Sequence, residues 1–312
     1  MESEGKAAAR WVEVGEEEAG QRLDNFLLAR LKGVPKSRVY KVIRGGEVRV
    51  NSKRAEAATR IATGDRIRIP PMRVAERDDQ TPAPHFKLPI LYEDDALLAI
   101  DKPSGLAVHG GSGVAHGVIE SLRSMRPDAK YLELVHRLDR ETSGVLLVAK
   151  KRAALVALHA TLREREIDKR YLAGVSGRFR NKMQRVTLAL SERRNKEGEK
   201  RVVVDDDGQP SETIFHLVAR NDEFSLLEAQ LLTGRTHQIR VHVAALKHPI
   251  LGDERYGDFE LNKALRKRGL KRMFLHAAKL AFAHPVTGAA LALESPLPKD
   301  LTEFRDKCIA TS

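Results

Sequence analysis

The stretch VHRLDRETSGVLLVAK (residues 135–150) joins a polar loop to an apolar segment. The run VLLVA (residues 145–149) follows Gly144 and ends at two lysines, a pattern that predicts a buried strand. One carboxylate, Asp139, lies between two arginines just before this strand. Considered alone, the loop favours a turn cap for Asp139, because local hydrogen-bond partners are abundant. The alternative is a carboxylate that reacts with a substrate.

The charge of the chain is distributed unevenly. Its 312 residues include 55 Lys+Arg and 43 Asp+Glu, which gives a formal net charge of +12. Residues 21–73 hold fourteen basic and four acidic residues, whereas residues 1–20 hold two basic and six acidic ones. A basic surplus of this kind favours a polyanionic partner. We therefore expect residues 21–73 to make much of the contact with that partner.

Composition also limits the class of protein. The single cysteine, Cys308, excludes a disulfide framework and a thiolate zinc cluster. No apolar run reaches the roughly 18 residues of a membrane span, and the first residues, MESEGKAAAR, lack the hydrophobic part of a signal peptide. We expect a soluble, cytoplasmic protein that does not bind a membrane.

Four segments follow from the pattern along the chain. Residues 1–20 are predicted to be an acidic tail in which only RWVEV suggests a strand, and residues 21–73 a compact module of two helices and a small sheet. Residues 74–88 are predicted to be a proline-rich linker. Residues 89–312 form the large domain.

The large domain alternates short apolar runs with few helical patterns. Many strands without a βαβ rhythm predict a mostly antiparallel, mixed α+β fold. Helices are predicted near residues 152–166, 236–247 and 299–310. The predicted strands are ILY, LLAID, VLLVAK, RYLAGVSG, TIFHLVAR, FSLLEAQLL, FLHAAKLAFA and ALALES.

The basic module carries cations that can follow a phosphate backbone, and the alternative is an ordinary solvated helix face. Its segments LDNFLLARLKGVPKSRVYKVIRGGEVRVN and GDRIRIP resemble the S4 RNA-binding domain in their order of helix, helix and two strands. The resemblance implies RNA binding by this module. The residues expected to contact RNA are Lys36, Arg38, Lys41, Arg44, Arg49 and Lys53.

Several familiar chemistries are poorly supported by the large domain. GGSGVAHG (residues 110–117) lacks the lysine of a nucleotide-binding loop, and Ser143 lacks the nucleophile elbow of a serine hydrolase. The histidines are scattered and no thiolates lie near them, so we expect no metal site. The remaining candidate for a reactive group is a carboxylate surrounded by cations, Asp139.

Two further loops end apolar strands with polar residues. LLAIDKPSGLAVHGG (residues 97–111) contains Lys102, and LLTGRTHQIRVHVAALKHPILGD (residues 231–253) contains Arg235, His237 and Arg240. Such loops are where binding and catalytic residues gather on rigid scaffolds. On spacing alone, either arginine can supply the cation that a buried carboxylate needs to stay ionised.

The motifs HRLDRETSG, LAIDKPSGLAVH, KRY and TGRTHQIRVH together resemble the pseudouridine synthases of the large-subunit rRNA type. The resemblance covers residues 21–310 and includes the order of S4 domain, linker and catalytic domain. It implies isomerisation of uridine in large-subunit ribosomal RNA or its precursor particle, without a cofactor and by a monomer. An RNA-binding assembly factor and a glycosidase are the rival functions, and the lack of a second carboxylate disfavours the glycosidase.

The same resemblance implies a role for each motif residue. Asp139 is the catalytic carboxylate, which either attacks C1′ or takes a proton from C2′. Arg240 pairs with it, and Tyr171 packs on the target base and helps to remove the C5 proton. Arg137 enters the RNA where the base leaves.

The remaining candidates are expected to contact substrate. Ile239 lies either on the floor of the uracil pocket or in the ordinary core. Arg235 and His237 are expected to bind substrate near the start of their helix. Lys102 is expected to orient the site or to contact phosphate.

Overall fold

The structure is a computed structural model that describes residues 9–31, 33–72, 83–111, 114–194 and 200–309. The chain divides into two compact units, Met1–Pro82 and Ala83–Ser312. Among the described residues, no helix is both long and apolar enough to cross a membrane.

The first unit packs two helices on a four-stranded antiparallel sheet with the order β1-β4-β2-β3. Leu23, Phe26 and Leu27 are buried at helical spacing and form the core with Val39 and Ile43. The elements are β1 (Arg10–Glu13), α1 (Leu23–Arg30), α2 (Lys36–Arg44), β2 (Arg49–Val50), β3 (Lys53–Arg54) and β4 (Arg66–Ile69).

The prediction of an acidic tail over residues 1–20 is wrong for its second half. Strand β1 pairs with β4, and Val14 is buried in the core of the unit. The amide of Gly20 donates to the Ile61 carbonyl at 2.6 Å. Because β4 needs a partner for its free edge, the RWVEV segment becomes part of the sheet. Residues 1–8 lie outside the described residues.

The linker prediction falls largely on residues 73–82, which lie outside the described residues. Residues 83–88 are described and contain no helix or strand.

The second unit is built on a sheet of eleven described strands with the main order β11-β10-β12-β13-β9-β14-β8-β6-β5. Every pair in it is antiparallel except β8 with β14, which confirms the predicted α+β class. The strands are β5 (Ile90–Glu93), β6 (Leu97–Lys102), β7 (Glu133–Leu134), β8 (Ser143–Ala149), β9 (Asp168–Ser176), β10 (Met183–Arg194), β11 (Lys200–Val204), β12 (Gln209–Arg220), β13 (Phe224–Leu231), β14 (Leu275–Ala283) and β15 (Ala290–Glu294). The helices are α3 (Val118–Met125), α4 (Arg152–Glu164), α5 (Gln238–Ala245), α6 (Phe259–Lys267) and α7 (Lys299–Cys308).

All eight predicted strands and all three predicted helices are present. The sequence analysis missed α3, α6, the short strand β7 and the hairpin of β10 and β11. The hairpin strands carry charged residues at their ends and several exposed positions, so their apolar signal is weak.

Strand β8 is buried along its whole length. Leu146 and Val148 pack in one hydrophobic cluster with Ile239 and Val243 of α5. Val145 and Leu147 pack in a second cluster, which includes Leu158 of α4. Because both faces are covered, the strand reads as an unbroken apolar run rather than an alternating one.

Gly144 permits the close approach of β8 and β14. Its φ is +112°, and a Cβ atom there would lie 2.2 Å from the carbonyl oxygen of Ala277. A side chain at this position would therefore push apart the two strands just beyond Asp139.

We expect Gly144→Ala to destabilise the protein more than Gly269→Ala does. Both positions have left-handed backbone, with φ of +112° and +102°, and Gly269 has open space around it. Left-handed strain costs about 1–2 kcal/mol in both variants, and overpacking adds about 1–3 kcal/mol at Gly144 alone. Urea unfolding followed by circular dichroism measures both, because the single tryptophan, Trp11, lies in the other unit. Equal losses would contradict the close-approach argument.

Candidate active site

Asp139 lies in the loop that precedes β8, and its carboxylate faces a cavity. The turn there is closed by the backbone, since the Thr142 amide donates to the Asp139 carbonyl at 3.1 Å. Oδ2 of Asp139 instead accepts a hydrogen bond of 2.9 Å from Nη1 of Arg240. The side chain is 21% exposed. The carboxylate is thus free of the turn and available to a ligand.

Arg240, on the first turn of α5, links two carboxylates. It donates to Asp139 through Nη1 and to both oxygens of Asp253 through Nε and Nη2, at 2.7 and 2.9 Å. Burial alone would lower the pKa of Arg240, but hydrogen bonds and the charges of the two aspartates raise it above its usual value. Of the two arginines that spacing allowed, Arg240 is the partner of Asp139.

Asp253 anchors this arginine from the loop between α5 and α6. Its side chain is fully buried, and its Oδ1 also accepts the amides of Arg255 and Tyr256 at 2.9 and 3.1 Å. Burial would raise the pKa of Asp253, but Arg240 and these two amides bring it below its usual value. A buried, paired carboxylate of this kind fixes the orientation of the guanidinium.

Lys102 holds the Asp139 loop from the other side. It is fully buried, and its Nζ donates to the carbonyls of Pro103, Leu106 and Arg140 at 2.8–3.1 Å. Burial lowers its pKa to about 7. Because all three donors serve the backbone, this geometry favours the prediction that Lys102 orients the site over the prediction that it contacts phosphate.

Two other polar residues near Asp139 are structural. His136 accepts the Leu147 amide at 3.1 Å through Nε2, and burial lowers its pKa to about 4, so it is neutral and orders the loop. Ser143 lies 2.9 Å from Nδ1 of His276, but both residues are buried and His276 Nε2 donates to the Ser295 carbonyl. This Ser–His pair ties β8 to β14 and faces no cavity.

The first cavity has a volume of about 520 Å³ and is partly apolar. Tyr171, Leu231, Ile239 and Leu275 line it together with Asp139. Ile239 also packs in the main core. Its role as the floor of a uracil pocket stays a prediction. Burial, together with the Asp139 charge, raises the pKa of Tyr171 above its usual value, so its phenol is neutral. The cavity can hold a planar apolar group beside the carboxylate.

The other predicted substrate residues lie at the edge of this cavity. Arg235 is exposed and its Nε donates to the Pro210 carbonyl at 3.2 Å, while Arg137 is exposed and forms no ion pair with a described residue. His237 Nε2 lies 3.9 Å from Oδ2 of Asp139. The side chain of Gln238 fixes the turn that carries Arg235 and His237, because its Oε1 accepts the Arg235 amide at 3.0 Å.

A second cavity, of about 720 Å³, lies on the other side of Asp139. The two cavities share Arg137, Leu138, Asp139, His237 and Arg240. The second is strongly basic, and five of its cations form no ion pair with any residue in the described part of the chain. These are Arg137, Arg201, Arg255, Lys271 and Arg272.

Sequence reasoning missed Asp253 and Tyr256. Tyr256 contacts the site through its ring, which lies 5.0 Å from the Arg240 guanidinium carbon. A signal was available, because Arg240 interrupts an apolar helical pattern between Ile239 and Val241. A buried arginine requires a buried acid, but the sequence does not say which one.

The S4-like unit presents its predicted RNA contacts to solvent. All six are exposed, and none forms an ion pair within the described ranges. They are Lys36, Arg38, Lys41, Arg44, Arg49 and Lys53.

Comparison with known proteins agrees with this arrangement. The RNA pseudouridylate synthase model matches residues 96–245, and the S4 domain model matches residues 21–67. The ribosomal large subunit pseudouridine synthase C of Escherichia coli strain K12 is 51% identical over 304 residues, which are 95% of each chain. That of Pasteurella multocida is 47% identical, over 95% of this chain and 93% of the relative.

The chain belongs to the RNA pseudouridylate synthase family. Solved structures agree: human RNA pseudouridylate synthase domain containing 4 has a TM-score of 0.58 and 26% identity, over 72% of this chain and 94% of its own. Human RNA pseudouridylate synthase domain containing 1 has a TM-score of 0.56 and 28% identity, over 69% and 86%. The family isomerises uridine in RNA.

We expect Asp253→Asn to lower the rate of pseudouridine formation by about 10²-fold, because Arg240 loses its bidentate anchor and misplaces Asp139. The matched control is Asp258→Asn, the same substitution five residues along the same loop. Asp258 caps α6 by accepting the Leu261 amide, and asparagine caps a helix equally well. Single-turnover rates on RNA measure both variants, and equal rates would show that Asp253 does not position the site.

Proposed function

We propose that this protein converts uridine to pseudouridine in large-subunit ribosomal RNA, or in the precursor particle that contains it. The names of the relatives that match over nearly the whole chain support this substrate. We further propose that it acts as a monomer in the cytoplasm, where bacterial ribosomal RNA is made.

The observation that carries the proposal is the position of Asp139 between two unlike cavities. One cavity is partly apolar and contains Tyr171 and Ile239, which suits a uracil ring. The other is basic and suits ribose and phosphate. A nucleotide bound across both would place its glycosidic bond at the Asp139 carboxylate.

The reaction replaces the bond from N1 to C1′ with a bond from C5 to C1′. The hydrogen on C5 leaves as a proton, N1 gains a proton, and no water is added to the sugar. A glycosidase needs a second carboxylate to activate water, whereas an isomerase keeps the base in the site and can use one. Asp139 either attacks C1′ or removes a proton from C2′, and Arg240 supplies the opposite charge in both cases.

Tyr171 serves in this proposal mainly as a surface for the base. A general base works best with a pKa near the operating pH. Burial beside Asp139 raises the pKa of Tyr171, which moves it further from neutral pH. Its neutral ring can pack on uracil. Removal of the C5 proton by Tyr171 would require the bound substrate to change this environment.

The target uridine must leave its helix before it reaches Asp139, at a cost of a few kcal/mol. Arg137 is exposed at the junction of both cavities and lacks a carboxylate partner in the described chain. Its planar guanidinium can stack and hydrogen-bond in the space that the base vacates. The exposed cations of the S4-like unit add affinity for the RNA phosphates that does not depend on sequence.

The decisive experiment uses large-subunit ribosomal RNA labelled with tritium at uridine C5. We expect the wild-type protein to release tritium to water and Asp139→Asn to release none above background, with RNA affinity retained. The control is Asp222→Asn, which changes an aspartate that is 88% exposed in a distant turn. It should react like the wild-type protein.

The same assay separates the rival functions. Free uracil would indicate a glycosidase. Tight binding without tritium release from naked RNA or from precursor particles would replace the enzyme with an RNA-binding assembly factor.

The basic cavity generates a separate prediction. We expect Lys271→Ala to weaken RNA binding and to reduce the slope of log K against log salt by about 1, since one phosphate contact is lost. Lys299→Ala is the matched control, because Lys299 is 91% exposed on α7 outside both cavities. Affinities measured over a range of KCl concentrations test this. Equal slopes for the two variants would exclude the second cavity as a phosphate site.

A further inference from the structure

Tyr256 is held firmly beside the site. Its ring lies between the guanidinium groups of Arg201 and Arg240, at 5.2 and 5.0 Å. Its hydroxyl accepts the Val202 amide at 3.0 Å and lies 2.8 Å from Nδ1 of His237. Strand β11, helix α5 and the α5–α6 loop therefore meet at one phenol.

This contact favours one of the two neutral forms of the His237 ring. Because the Tyr256 oxygen already accepts the Val202 amide, its own hydrogen is available to donate to Nδ1. Burial lowers the pKa of His237. The charge of Asp139 raises it, and the charges of Arg240 and Arg255 lower it further. A neutral imidazole that accepts at Nδ1 has its hydrogen on Nε2.

The Nε2 hydrogen has no partner at hydrogen-bond distance among the described residues. Its nearest carboxylate oxygen, Oδ2 of Asp139, is 3.9 Å away and already accepts from Arg240. His237 lines both cavities. Beside the exposed Arg137, His237 thus presents a second unused donor where the two cavities meet, and this one is held in place within the described part of the chain.

If base and phosphates occupy the two cavities, the sugar carbon C1′ lies at Asp139, and the sugar oxygens nearest to it are the ring oxygen O4′ and the 2′-hydroxyl. We propose that Tyr256 holds His237 as a donor to the 2′-oxygen of the target ribose. His237 then discriminates ribose from deoxyribose, and Tyr256 is its positioning residue. The inference rests on the proposed function.

The test is a binding cycle in the Asp139→Asn background, which does not turn over. The probes are two copies of a ribosomal RNA fragment that the wild-type protein converts, with uridine or 2′-deoxyuridine at the converted position. With His237 present, we expect the uridine fragment to bind about fivefold more tightly than the deoxyuridine fragment, which is the effect of one hydrogen bond. This ratio of the two affinities is the measured quantity. His237→Leu should bring the ratio close to 1, whereas His237→Gln, of similar size but with an N–H group, should keep part of it.

Tyr256→Phe supplies a second, independent variant. It keeps the ring between the arginines and removes the donor to Nδ1, so the ratio should fall although the packing is retained. The ratio is internal to each variant, so a loss of folded protein does not change it. An unchanged ratio in His237→Leu would overturn the proposal and assign His237 to the loop alone. Failure of the wild-type protein to convert any fragment would instead overturn the proposed function, and this inference with it.

Discussion

The site depends on one guanidinium shared by two carboxylates. Arg240 is almost buried, and Asp253 takes two of its donors while Asp139 takes a third. A buried cation without such partners would be strongly destabilising. The fold therefore has to bring α5, the α5–α6 loop and the loop before β8 together. The contact that neutralises the arginine is also the contact that aims the Asp139 carboxylate into the cavity.

Under the proposed function, the two cavities divide the substrate by its chemistry. Uracil is planar and largely apolar at its faces, whereas the sugar and phosphates are polar and anionic. The first cavity contains Tyr171 and Ile239, and the second contains five cations that form no ion pair with a described residue. In this arrangement the bond to be broken joins the two halves of the nucleotide, and Asp139 lines both cavities.

Much of the fold could be predicted because burial on both faces of the sheet leaves unbroken apolar runs, as in β8. The outer hairpin of β10 and β11 and the helices α3 and α6 lack so clear a pattern. For the site, the position of Asp139 at a strand end and its cationic neighbours were readable, and the family resemblance added their roles. Asp253 and Tyr256 were missed because their contact with Arg240 arises from chain segments that meet only in the folded protein.

Lys102 shows a second limit of such reasoning. A lysine in a polar loop motif suggests contact with phosphate, yet this one is buried with three carbonyl acceptors, which match the three hydrogens of an ammonium group. The Arg140 carbonyl also accepts the amide of Gly105 at 2.9 Å. Lys102 holds Arg140 while Arg240 holds its neighbour Asp139, so two buried basic side chains bind adjacent residues of the loop. The position of the Asp139 carboxylate therefore depends on these side-chain contacts, and the loop that carries it needs no helix or strand of its own.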